Sequence, residues 1–175
     1  LPGRRMSWPE SAARLVVPPL QPSVVSAAES PDMLDAQYDG WVAGFTYARE
    51  GHPNAAHLAA TLDALEGAEG GLVTGSGMAA VGAPLLGLLR AGDHVVGADQ
   101  LYGRSLRLLT EDLPRFGVAA TLADATDAGA IAAALRPETR AILVEVVSNP
   151  TLRVADVAGI AALARARGVR LMIDN

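Results

Sequence analysis

The chain has 175 residues, a formal net charge of −5 and a hydrophobic fraction of 50%, enough for one domain with a core of its own and too apolar for a disordered segment. The acidic surplus argues against a nucleic-acid footprint. The absence of cysteine excludes disulfides and thiolate metal sites and fits a reducing cytosol. No apolar run reaches the roughly 18–20 residues that cross a bilayer, and "LPGRRMSWPE" has no apolar signal-peptide centre. The expectation is a cytoplasmic protein with no membrane, nucleic-acid or metal partner. All fourteen basic residues are arginine, so the chain contains no lysine.

Residues 1–53 are punctuated by Pro18, Pro19, Pro22, Pro31 and Pro53 and read as an irregular arm. From Asn54, a suitable N-cap, Ala55, Leu58, Ala59, Leu62 and Leu65 recur at helical spacing until Gly67. "GLVTG" (71–75) predicts a short strand, and 76–92 a helix stopped by Gly92. "HVVGA" (94–98) is a buried strand, 104–113 a helix closed before Pro114, and "GVAATL" a further strand. A helix over 127–135, the long apolar strand "AILVEVV" (141–147), a helix over 156–167 stopped by Gly168, and a last strand "VRLMID" complete the pattern. The alternation predicts an α/β domain over 54–175, with a mostly parallel sheet and helices on both faces.

Such a sheet binds ligands at the carboxyl ends of its strands. There the sequence places Gly75 to Met78, Asp99 to Tyr102, Ser148 to Thr151, and Asp174. "TGSGMAA" contains G-x-G-x-x-A, with Asp99 ending the next strand, which alone would suggest a dinucleotide-binding oxidoreductase domain. Against this alternative, a long arm and a full helix precede the motif, and the other strand-end residues are left without a role. A non-catalytic oligomerisation fragment is a third reading. Glu145 stands out as a charge within an apolar strand, costly unless paired. His52 and His57 have no ligand partners in view and read as structural.

Read together, "YAREGHPN" (47–54), "GSGMAA" (75–80), "DQLYGRS" (99–105), "EVVSNPT" (145–151) and "MIDN" (172–175) resemble, in order and spacing, the Cys/Met-metabolism (trans-sulfuration) family of enzymes dependent on pyridoxal 5'-phosphate (PLP). That family includes cystathionine synthases and lyases and methionine γ-lyase. The resemblance runs from about residue 17 onward and implies the first part of the large domain of an aspartate aminotransferase-like PLP-dependent transferase fold, incomplete at the C-terminus. By resemblance, Ser76, Gly77 and Met78 hold the cofactor phosphate, a task suited to a helix N-terminus. Tyr47 and Arg49 reach that phosphate from a neighbouring subunit, making residues 1–53 an arm that serves another subunit's site. Tyr102 stacks on the cofactor ring and moves a proton, Asn149 donates to its 3-oxygen, and Asp174 faces its pyridine nitrogen. Tyr102 and Asp174 are thus the catalytic candidates.

The resemblance implies β- or γ-elimination or replacement on a sulfur-containing or O-acylated amino acid, with a lean towards elimination. It also implies a homotetramer built as a dimer of dimers. Glu50, His52 and Asn54 depart from the family's T-G-N-P-T, and Arg104 stands where methionine γ-lyases carry a cysteine. The family's cofactor-anchoring lysine lies further along the chain than Asn175. The expectation is therefore an N-terminal portion, catalytically competent only with a C-terminal part.

Overall fold

The computed structural model describes residues 16–175. The chain forms two compact units, one ending at Val73 and the other spanning Thr74–Asn175. Among the described residues, no helix is long and apolar enough to cross a membrane.

In the first unit, the expected irregular arm carries a helix of its own, α1 (Pro31–Tyr38). Its start is chemically explicit. Ser30 is extended and its hydroxyl accepts from Met33 N–H, while Pro31 occupies a first-turn position where no donor is missed. Pro31, a loop marker by sequence, here opens a helix. A single antiparallel bridge joins Val25 to Tyr47. Helix α2 (Pro53–Glu66) begins two residues earlier than expected, because His52 rather than Asn54 is its N-cap. His52 Nδ1 accepts from Asn54 N–H at 3.2 Å. Asn54 is thereby free to bind Gln21, accepting from its N–H at 3.1 Å and donating to its carbonyl at 3.2 Å. Gly67, at φ 62°, ends the helix as expected.

The expected strand at 71–75 does not form. Gly70 turns at φ 78°, the Gly71 N–H is held by the Asp63 carboxylate at 2.9 Å, and no described strand pairs with the segment. Apolar residues alone make no strand without a ladder partner.

The second unit is a four-stranded, wholly parallel sheet in the order β2-β1-β3-β4, comprising β1 (His94–Ala98), β2 (Ala119–Ala123), β3 (Thr139–Glu145) and β4 (Arg170–Asp174). Its helices are α3 (Gly77–Leu88), α4 (Gly103–Arg107), α5 (Ala128–Ala134) and α6 (Val157–Arg167). The crossover from β1 to β2 runs one way across the sheet, and those from β2 to β3 and β3 to β4 run the other. Right-handed connections therefore put α4 on one face and α5 and α6 on the opposite face. Contacts agree, with α3 touching α4 and α5 touching α6. Every residue of β1 and all but Arg140 of β3 are buried, as expected of central strands covered on both faces.

The expected helix 104–113 is wound in three ways. It is α-helical to Arg107, opens into a π turn over Leu108–Asp112, and tightens to a 3-10 turn over Leu113–Phe116. Pro114 has no N–H to return to the preceding turn, and the widened winding ahead of it accommodates that gap. The π turn brings Leu109 against the sheet at Gly97, where an added Cβ would collide with Leu109 Cδ1 and press on Leu122 at 3.3 Å. Leu109 is fully buried and has nowhere to retreat.

At the amino ends of the strands, the buried His94 ring bonds Thr139 Oγ1 at 2.7 Å through Nδ1 and Thr121 Oγ1 at 2.9 Å through Nε2. Arg136 caps both threonines, through its backbone N–H to Thr139 Oγ1 and its guanidinium to Thr121 Oγ1. Burial, reinforced by the Arg136 charge, holds the His94 pKa below its ordinary 6.5, so the ring is neutral in the fold.

Two stability predictions follow from these contacts. Gly97→Ala overpacks the centre of the sheet and lowers stability by about 1–3 kcal/mol in denaturant titration. Because the unfolded chain protonates His94 before the folded one does, its contribution is complete above about pH 6.5 and lost as pH falls below that value. His94→Gln flattens the fall in stability between about pH 7 and pH 5, removing at most about 1.4 kcal/mol per pH unit from the slope. An unchanged slope contradicts the neutral assignment.

Candidate functional site

The carboxyl ends of β1, β3 and β4 open onto a cavity of about 390 Å³, whose lining includes Gly77, Met78, Tyr102, Glu145, Asn149 and Asp174. That volume lies within the range of small-molecule sites. Five of the eight sequence-predicted site residues are thus gathered from four separate stretches of chain.

Helix α3 supplies one wall. Ser76 is its N-cap, extended at φ −164°, with its hydroxyl accepting from Ala79 N–H at 3.1 Å. The next donor, Ala80 N–H, goes to the Ser76 carbonyl. The N–H groups of Gly77 and Met78 belong to the first turn, whose donors have no intrahelical acceptor. They lie at the positive end of the 12-residue helix. A Cβ placed on Gly77 would meet nothing within 4 Å, so the space beside it is open. Ser76 does not itself line the cavity, but its hydroxyl proton is uncommitted by the cap.

Tyr102 and Asn149 come from the loops after β1 and β3, and one side chain holds both. Glu145, 8% exposed, accepts from Tyr102 N–H at 2.6 Å through Oε1 and from Asn149 N–H at 2.8 Å through Oε2. The pairing that the sequence reading required of this buried charge is therefore with two backbone amides. A second, neutral set of bonds joins the same loops. Ser148 Oγ donates to the Gln100 carbonyl at 2.6 Å, and Thr151 Oγ1 bonds both Ser148 Oγ and the Gln100 side chain. Tyr102 starts α4 and is 44% exposed, with its ring open to the cavity.

Asp174 ends β4 directly across from Glu145 in the parallel register, so the two side chains share one face of the sheet. Its carbonyl accepts from Val146 N–H at 3.1 Å, which fixes the strand ends together.

Further out, Asp124 at the end of β2 accepts from Thr126 N–H at 2.9 Å and from the Arg153 guanidinium at 2.6 Å. The Thr126 backbone bond first, then Arg153, lower the Asp124 pKa to about 2. This knot tethers the β3–α6 loop, where Leu152 sits at φ 57°.

Tyr47 and Arg49 belong to the first unit and line a cavity of about 250 Å³ there with Val25, Leu34 and Tyr38. The Arg49 guanidinium lies 4.9 Å from the centre of the Tyr47 ring, within cation–π range. Its contact with Glu50 is long, at 3.9 Å, and exposed.

The dinucleotide reading loses its local frame. Its glycine motif needs a strand leading into the turn, and residues 71–75 form none. Asp99 faces a cavity of only about 20 Å³.

The sequence reading assigned no role to Gln100 or Glu145. The signal for Glu145 was present as an acid in a valine-rich strand; its partners were not, because they are backbone groups from two loops.

The family model for Cys/Met metabolism PLP-dependent enzymes matches residues 8–175. Cystathionine beta-lyase MetC of Bacillus subtilis is 40% identical over 131 residues, 75% of this chain and 33% of the relative. L-methionine gamma-lyase of Pseudomonas putida is 35% identical over 167 residues, 95% of this chain and 42% of the relative. A putative O-acetylhomoserine (thiol)-lyase from Campylobacter jejuni, solved with N'-pyridoxyl-lysine-5'-monophosphate, superposes with a TM-score of 0.85 at 28% identity, over 93% of this chain and 40% of that one. The chain thus spans 33–42% of the length of these proteins. With its parallel sheet, its strand-end cavity and a family match over almost its whole length, the chain belongs to the Cys/Met metabolism family of PLP-dependent enzymes.

Proposed function

We propose that this chain forms the cofactor-binding portion of a PLP-dependent enzyme that makes or breaks a C–S bond in an amino acid, by elimination or replacement at Cβ or Cγ. The observation that carries the reading is one cavity lined by a helix N-terminus, a tyrosine, an asparagine and an aspartate. Those four features match the parts of PLP in chemistry. A phosphate dianion suits the Gly77 and Met78 N–H groups, with the Ser76 hydroxyl proton available beside them. The Tyr102 ring offers an aromatic face, the Asn149 amide a donor for the ring's 3-oxygen, and the Asp174 carboxylate an anion for the pyridine nitrogen.

Bound PLP supplies an electron sink for a carbanion at the substrate's Cα. The protein's task is to keep that sink effective. The Asp174 carboxylate favours a proton on the pyridine nitrogen. The Tyr102 phenol, at the open mouth of the cavity, is placed to carry a proton towards or from the leaving group. A lysine to anchor the cofactor covalently is not among these 175 residues, so the residues named here account for cofactor binding and electrostatics alone.

Tyr47 and Arg49 serve as phosphate ligands for a neighbouring subunit, delivered by an arm over residues 1–53, in a homotetramer with shared sites. An arginine already stacked on its tyrosine is partly preorganised for a planar, two-point grip on phosphate. The enzyme acts in the cytoplasm. Elimination is favoured over replacement on resemblance alone.

The test uses the whole protein. Asp174→Ala lowers kcat with a sulfur-containing amino acid by about 100- to 1000-fold, the scale of losing one preorganised electrostatic group; near-normal turnover removes Asp174 from its role. Arg49→Ala weakens PLP retention by about tenfold or more in equilibrium dialysis, in line with the loss of a charge-assisted phosphate contact. Unchanged affinity excludes the arm from the site.

A further inference from the structure

We infer that Glu145 is a positioning residue of this site: one carboxylate fixes the backbone of both Tyr102 and Asn149 and so sets the two side chains' placement relative to each other. What those side chains address rests on the PLP reading above. The clamp itself rests on geometry.

Glu145 is almost fully buried, and its two oxygens act separately, one taking Tyr102 N–H at 2.6 Å and the other Asn149 N–H at 2.8 Å. The donors lie 43 and 4 residues away in the chain, on loops that leave two different strands. An ionised carboxylate is the side chain that offers two acceptor oxygens and no donor, and bonds to it are short and strong. The fold does not need this charge. Ala141, Ile142, Leu143 and Val144 before it are all buried and apolar, and an acid among them costs desolvation. Nor is it needed merely to join the loops, since Ser148 and Thr151 already bridge to Gln100. What Glu145 alone holds are the two amides beside the cavity-lining side chains. Its register with Asp174 ties those two residues and the aspartate to one strand end.

The discriminating variant is Glu145→Gln in the whole protein. The amide keeps the size and one acceptor oxygen but turns an NH₂ donor towards the other N–H. Three readouts are taken: hydrogen–deuterium exchange over residues 100–105 and 146–152 without PLP, PLP affinity and visible circular dichroism by titration, and kcat against KM. The expected result is faster exchange in both segments, an altered dichroism band, about tenfold weaker PLP binding and a kcat lower by about 10- to 100-fold, the scale of misplacing a reacting group by about 1 Å. Combined with Asn149→Ala, the Gln variant adds less than its separate effect, because one acts through the other.

A Gln variant that changes only the thermal midpoint, or a fully additive double variant, overturns the proposal. Should it not fold, Glu145→Asp, which reaches only one amide, is judged by the same readouts. Failure of the wild-type protein to take up PLP sinks the functional reading and the cofactor role of Glu145 with it, while the exchange data still judge the clamp.

Discussion

The second unit depends on the burial of β3. Lying between β1 and β4 and covered on both faces, this strand is wholly apolar and buried from Ala141 to Val144. Its exposed charge is Arg140 near the amino end, and its buried charge is Glu145, its last residue, where the backbone leaves the sheet and amides from the next loops come within reach. The parallel register then brings Asp174 to the same level on β4. Because every strand runs the same way, the end of β1 arrives at this edge too. Cavity, acids and loops all lie there as a consequence of strand direction, and the helix N-terminus of α3 adds its positive pole.

Two kinds of polar network sit at opposite ends of this sheet and do different work. At the amino ends, His94, Thr121, Thr139 and Arg136 form a closed set in which a neutral ring is held between two hydroxyls. That set belongs to stability. At the carboxyl ends, the bonds of Glu145, Ser148 and Thr151 run between loops and leave side chains facing open space. The glycine motif at the start of α3 is compatible with more than one phosphate-bearing ligand, since a helix N-terminus attracts any anion. Asn149 and Asp174, brought in by β3 and β4, line the same cavity and, on the proposed reading, select PLP.

Much of this was legible in the sequence for a physical reason. The strands at 94–98 and 141–147 are nearly continuous apolar runs, the signature of strands buried on both faces, and both form, the second shifted two residues earlier. Gly67 and Gly168 end helices as left-handed caps. The segment at 71–75 has the composition of a strand but pairs with none of the described strands, and pairing is not a local property. The helix Pro31–Tyr38 was hidden by its own first residue, because proline marks loops and helix starts alike. Pro114 was read as a stop, yet the chain widens to a π turn and continues past it. At the site, Tyr102, Asn149 and Asp174 stood at expected strand ends, and their proposed roles come from the resemblance. The role of Glu145 was not, since its partners are backbone amides that carry no sequence signal. Tyr47 and Arg49 are stacked in the first unit, and their service to another subunit is a proposal from resemblance.

On the proposed function, PLP occupies the strand-end cavity with its phosphate at α3 and its ring nitrogen at β4. The most direct measurement is a crystal structure of the whole protein with PLP bound. The expected result is the phosphate against the Gly77 and Met78 N–H groups and the pyridine nitrogen facing the Asp174 carboxylate. PLP bound elsewhere, or lying in the cavity with its nitrogen turned away from Asp174, would contradict it.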